Sequence, residues 1–116
     1  MSTRPSWKQL SSDLGDDLEL AREIARTLCD SWTSLHERLQ NALVANDGIE
    51  TARSLHAIKG ALGVFPSNGF AARLKPIETQ FRQGERGLAE LQLEKTLPEL
   101  QSYIESLEEL CSKADS

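Results

Sequence analysis

Four residues in one short run have types and spacing that could do chemistry: His56, Lys59, Gly60 and Gly63, in His56-Ala57-Ile58-Lys59-Gly60-Ala61-Leu62-Gly63. On a helix, side chains three, four and seven positions apart share a face. Lys59, Gly60 and Gly63 then neighbour His56, and Ala52 stands one turn before it. A neutral imidazole is well populated near pH 7, so its lone pair is available for attack on an electrophile. Phosphoryl carriage suits such a group, and a lysine one turn along can neutralise the charge placed on the ring.

The glycines point the same way. Each glycine inside a helix costs roughly 1 kcal/mol relative to alanine. A helix that only had to pack would not place two of them around one histidine. Small neighbours at Ala52, Gly60 and Gly63 leave the ring standing proud, so the backbone of another protein can approach it. Ile49, an apolar residue on the same side, extends this candidate docking surface. Each residue alone has an ordinary reading: a surface histidine, a solvated lysine, and for Gly63 a helix C-cap before Val64-Phe65-Pro66. The combination carries the inference. Arg53, Arg73 and Lys75 read as solvated charges.

The elements that must position these residues are helical throughout, since no stretch keeps a period-2 alternation. Ser6 and Gln9 form a capping box for a short first helix ending near Gly15. In the second helix Leu18, Ala21, Ala25, Leu28, Trp32, Leu35, Leu39 and Ala42 follow one another at spacings of 3 and 4, an unbroken apolar seam. Asp16, Asp17 and Glu19 occupy its first turn, and Asn46-Asp47-Gly48 stops it. Asp47 and Glu50 cap a third helix with Leu55, Ile58, Leu62 and Phe65 on its core side, ending by Phe65 because Pro66 follows. Ser67 or Asn68 caps a fourth helix with a seam of Phe70, Leu74, Ile77 and Phe81, kinked at Pro76. The last helix carries Leu93, Leu97, Leu100, Ile104, Leu107 and Cys111, and starts either near Gly87 or at a Thr96/Glu99 capping box. The expected architecture is all-α: a four-helix bundle with a short additional N-terminal helix, one domain over 1–116, with 1–5 and 113–116 as flexible ends.

Composition narrows the function. The 116 residues suit one core without a separate nucleotide-binding lobe, so no ATP site and no enzyme activity of its own is expected. A net charge of −5 with no clustered basic face argues against nucleic acid. No run approaches the ~20 apolar residues of a membrane span, and the first residues lack a signal-type apolar core. Cys29 and Cys111 read as reduced, partly buried thiols, and no cysteine or histidine stands at ligand spacing from His36, so no metal site is expected.

The His56–Gly63 run resembles the signature of histidine phosphotransfer (HPt) domains, in which the phosphorylated histidine is followed at +3 by lysine and at +4 by glycine. A Leu-Glu pair on the next helix has its counterpart in Ile77-Glu78, and the helix spacing is similar over the whole chain. The resemblance implies that His56 is a phosphoacceptor through Nε2, that Lys59 helps stabilise the phosphoryl group, and that Gly60 and Gly63 let a receiver domain dock. It implies a phosphorelay intermediate that takes phosphate from a receiver aspartate and passes it to another receiver. The partners would be the receiver domains of a hybrid sensor kinase or a response regulator, with Mg²⁺ held by the receiver. A cytoplasmic monomer is expected, free-standing or the cytoplasmic end of a membrane sensor kinase. Where many members have glycine this chain has Pro66. Histidine-kinase dimerisation domains carry an acidic residue directly after the histidine and a proline five positions after it, where this chain has Ala57 and Ala61. The phosphotransfer domain of a chemotaxis kinase stays open as a close relative. From a different class, a phosphorylation-independent adaptor bundle would use the same stripe for docking only.

Overall fold

The computed structural model describes residues 4–114. Five α-helices and one 3₁₀ turn follow in order: α1 (Trp7–Asp13), α2 (Leu18–Val44), α3 (Gly48–Leu62), the turn Pro66–Asn68, α4 (Phe70–Arg82) and α5 (Arg86–Ala114). No strand occurs among the described residues. The all-α bundle expected from the sequence is thus the observed architecture.

Polar side chains set the helix starts. Ser6 Oγ accepts from Gln9 N, Asp17 Oδ1 from Leu20 N and Asp47 Oδ1 from Glu50 N, each satisfying a donor that the first turn leaves free. Asp17 is therefore the cap of α2 rather than part of its first turn. Asp16 lies in the preceding turn with a left-handed φ of 65°.

Asn68 joins α3 to α4. Its Nδ2 donates to the Leu62 carbonyl at 2.9 Å, and its Oδ1 accepts from Phe70 N at 2.8 Å. The side chain thus satisfies the end of one helix and the start of the next, while Gly69, at φ 76°, makes the reversal between them. α4 runs through Pro76 without interruption. α5 also runs as one helix through Pro98, so it begins at Arg86, near Gly87, and not at Thr96. The Thr96 hydroxyl donates to the Gln92 carbonyl one turn back, a mid-helix bond and not a cap. Of the ends expected to be flexible, 1–3 and 115–116 lie outside the described residues; Lys113 and Ala114 continue α5.

The two long helices form the scaffold. At 1.5 Å per residue, the 29 residues of α5 span roughly 43 Å, which matches the 44 Å long dimension of the molecule. The α2 seam is buried at Ala21, Ala25, Leu28, Trp32, Leu39 and Ala42; Leu35 is half-buried, and Leu18, at the helix start, is exposed. The shorter α3 and α4 pack most extensively on each other, through Leu55, Ile58 and Leu62 on one side and Leu74, Ile77 and Phe81 on the other. α1 inserts Leu10 into the core, and Asp13 Oδ2 accepts from the backbone and hydroxyl of Ser67. Leu62 is fully buried at the end of α3. Leu62→Ala should lower unfolding free energy by about 2–5 kcal/mol, read from urea midpoints. A loss below about 1 kcal/mol would show that this contact does not hold α3 in place.

Candidate functional site

The site begins with where α3 turns its face. At 100° per residue, His56 lies about 100° around the helix from core-facing Leu55, whereas Lys59 lies only about 40° from it. The His56 side chain is accordingly 68% exposed and that of Lys59 22%. Gly60 lies further round on the open side, where an added Cβ would meet nothing within 4 Å. Ile49 is also on that side and exposed.

Against this ridge α4 presents a carboxylate. Glu78 occurs among the core-facing residues Leu74, Ile77 and Phe81, and is itself buried. An isolated carboxylate in that position would be costly, but this one has three cationic or donor partners. Its Oε1 lies 3.0 Å from His56 Nδ1 and 3.2 Å from Lys59 Nζ, and its Oε2 lies 3.2 Å from Arg82 NH1. Burial pushes the Glu78 carboxyl up. The hydrogen bonds and positive charge of Lys59 and His56 together outweigh that, and hold it below its ordinary 4.5.

This geometry sets the state of the imidazole. An ionised carboxylate only accepts hydrogen bonds, so Nδ1 must carry the proton it shares with Glu78. In the neutral ring Nε2 then holds the lone pair, on the exposed side of the ring. Around the ring, Arg38, Arg53, Glu78 and Arg82 line a shallow open cavity of about 250 Å³. Arg38 Nε pairs with Glu50 Oε1 at 2.9 Å, while Arg53 approaches the other oxygen of Glu50 only to 3.8 Å.

The fold brings His56, Lys59, Gly60 and Ile49 to one surface but excludes one expected member. Ala52 is fully buried and belongs to the core. It lies about 60° from Leu55 around α3, on the core side of the boundary that His56 crosses. It therefore offers nothing to a docking partner. Gly63 is exposed and is the C-cap of α3, with an ordinary helical φ of −66°. A Cβ there would crowd the Lys59 carbonyl at 3.1 Å, whereas Ala71 Cβ on α4 would lie at an ordinary contact distance of 3.8 Å. The sequence marks Glu78 only as the counterpart of a family residue pair, without a role, and does not mark Arg82 at all. The available signal was a glutamate standing among the core-facing positions of α4.

The other reactive groups are otherwise engaged. His36 is half-buried. It stacks on Trp32 with ring centroids 5.3 Å apart and meets the side-chain amides of Gln40 and Gln101 through Nε2 at 3.3 and 3.2 Å. Cys29 and Cys111 are free thiols facing each other between α2 and α5. Burial, then the neighbouring Cys111 and Glu108, pushes the Cys29 thiol up to about 12. Burial also raises that of Cys111. Neither is a ready nucleophile. No cluster of metal-ligating side chains occurs among the described residues.

The family model of the Hpt domain matches residues 23–113, most of the chain. The chain belongs to the Hpt domain family. No curated protein and no solved structure matches it. Hpt domains are phosphocarrier modules of phosphorelays, so the chain takes part in histidine phosphotransfer. The family match begins inside α2, which leaves α1 outside the matched region. No helix among the described residues is long and apolar enough to cross a membrane.

Two measurements test the carboxylate–imidazole unit of this Hpt domain. A carboxyl held below its ordinary value stabilises the fold above about pH 4.5, and that contribution is lost as pH falls through the folded value. Urea midpoints between pH 6 and 3 should fall more steeply for the native protein than for Glu78→Gln; parallel curves would mean that Glu78 is not coupled to its neighbours in solution. Nitrogen NMR of His56 should show mainly the Nδ1-protonated form, with a shift toward the Nε2-protonated form in Glu78→Ala. An unchanged tautomer would contradict the hydrogen bond.

Proposed function

We propose that His56 is the phosphoacceptor of a phosphorelay intermediate. It takes a phosphoryl group from the aspartate of one receiver domain and passes it to another. The observation that carries this reading is an exposed imidazole whose Nδ1 is bonded to a buried carboxylate 3.0 Å away. That bond leaves Nε2 free to attack and resists rotation of the ring.

The step balances without a further reactant. The Nε2 lone pair forms a bond to phosphorus as the bond from phosphorus to the aspartyl oxygen breaks, and the aspartate leaves as a carboxylate. The ring keeps its Nδ1 proton and becomes cationic on phosphorylation, and Glu78 lies in contact with that charge. Transfer to a second receiver reverses the step. Lys59, three residues from His56 and held by Glu78, supplies positive charge beside the phosphoryl group. The Mg²⁺ that neutralises charge on the donor side is assigned to the receiver. The protein acts as a carrier without its own ATP site, as a cytoplasmic monomer whose partners are receiver domains of a hybrid sensor kinase or response regulator. Gly60, Gly63 and Ile49 form the surface on which a receiver docks.

The test mixes the protein with phosphorylated receiver domains and Mg²⁺ and follows acid-labile label. Native protein should gain label and His56→Gln should gain none while keeping its helicity. Label on a folded His56→Gln protein at the native rate would overturn the assignment. Binding of receivers with no label on the native protein would favour a phosphorylation-independent adaptor. Lys59→Ala should slow transfer about 10- to 100-fold, the equivalent of one charge-assisted hydrogen bond.

A further inference from the structure

The seam between α2 and α5 carries three contacts that run along the two helices in opposite directions. The Leu43 carbonyl accepts from Arg86 NH2 at 3.1 Å, His36 Nε2 meets the Gln101 amide at 3.2 Å, and the Cys29 thiol hydrogen-bonds with that of Cys111. Residues 29, 36 and 43 are seven apart, so they share one stripe of α2, and that stripe faces α5. The register of the two helices therefore brings the sulfurs together. Cys111 is buried in the core, and Cys29 is half-buried against it. The chain has 2 cysteines, so an intramolecular disulfide can join only this pair.

We propose that Cys29 and Cys111 are a redox site: a hydroperoxide oxidises them to a disulfide that ties α2 to α5. One thiol, as thiolate, attacks a peroxide oxygen. The O–O bond breaks, water leaves, and the sulfur becomes a sulfenic acid. The second Sγ, already in contact, attacks that sulfur. The S–OH bond breaks, and the hydroxide leaves as water with the proton of the second thiol. Two electrons and two protons pass from the thiols to the peroxide. Burial and the nearby carboxylates of Asp30 and Glu108 keep the thiols protonated, so the first step is slow. Contact makes the second step intramolecular, and so selects the disulfide over further oxidation of one sulfur.

The closed loop holds the latter part of α2, all of α3 and α4 and nearly all of α5. A link across so long a loop removes freedom from the unfolded chain and stabilises the folded bundle. It also lies away from the phosphoryl face. Cys29 stands nine residues before Arg38, the α2 residue that lines the cavity around His56, which is roughly 13 Å along the helix axis. Closure therefore changes the stability of the bundle and leaves His56 exposed. The inference is independent of the role of His56.

The test treats the full chain with hydrogen peroxide and compares it with the same protein reduced by dithiothreitol. Peptide mapping of the oxidised monomer should show Cys29 and Cys111 joined in one cross-linked peptide, with the loss of two hydrogens. Thiol titration should find both groups gone. The melting temperature should rise by about 10 °C and return when dithiothreitol is added. Cys29→Ser and Cys111→Ala, treated alike, should show no such rise. The native protein alone decides the question if either variant fails to fold. Two free thiols after treatment, sulfinic acid without a cross-link, or disulfide-linked dimers in place of the closed monomer overturn the proposal. So does a closed disulfide that leaves the melting temperature where it was.

Discussion

A carboxylate placed in the seam between two helices governs the functional face of this protein. Glu78 occupies a position that the packing of α4 would otherwise give to an aliphatic side chain, and burying its charge there is costly unless partners surround it. His56 and Lys59 reach it from α3, and Arg82 from its own helix. The polar contacts that make Glu78 tolerable in the core edge are the same contacts that orient the imidazole and gather positive charge beside it. Stability and site geometry therefore meet in one side chain.

The rest of the bundle keeps α3 and α4 in the register this contact needs. Asn68 closes the connection between them by bonding to both helix ends. Behind them, α2 and α5 supply the long apolar surfaces against which the shorter pair rests, with Leu39, Ile104 and Leu107 fully buried. α1 adds a plug at the Pro66–Asn68 turn through Leu10 and the Asp13–Ser67 contact. The buried core thus lies behind the ring, which itself stands clear of it.

Reactivity is also confined to one place. His36 is half-buried between Trp32 and two glutamines, and both thiols are kept protonated by burial, Cys29 up to about 12. His56 alone among the imidazoles and thiols of the described residues combines high exposure with a partner that fixes its proton. The surrounding charge is positive although the chain as a whole carries −5, because Arg38, Arg53, Lys59 and Arg82 gather there against Glu50 and Glu78. Local charge, not the total, decides what such a surface attracts.

Helix type and extent followed from the one-dimensional pattern, because apolar spacing and capping residues act over a few positions. The seam of α2, the caps Ser6 and Asp47 and the His56–Lys59–Gly60 stripe needed no knowledge of neighbouring helices. Where an element depended on tertiary contact, the sequence left it open or misled. Thr96-Pro98-Glu99 has the look of a helix start, yet packing of Leu93 and Leu100 on the same core carries α5 straight through. Ala52 shares small size with the glycines, but a rotation of about 60° puts it in the core, and only the position of α2 and α4 decides where the core begins. The site itself divides the same way. The nucleophile was legible because it is a local cluster on one helix. The resemblance marked Glu78 but not its bond to the ring, and nothing marked the arginine beside it, because Glu78 and Arg82 lie more than twenty residues away and are brought to the site only by the angle and register of α3 on α4.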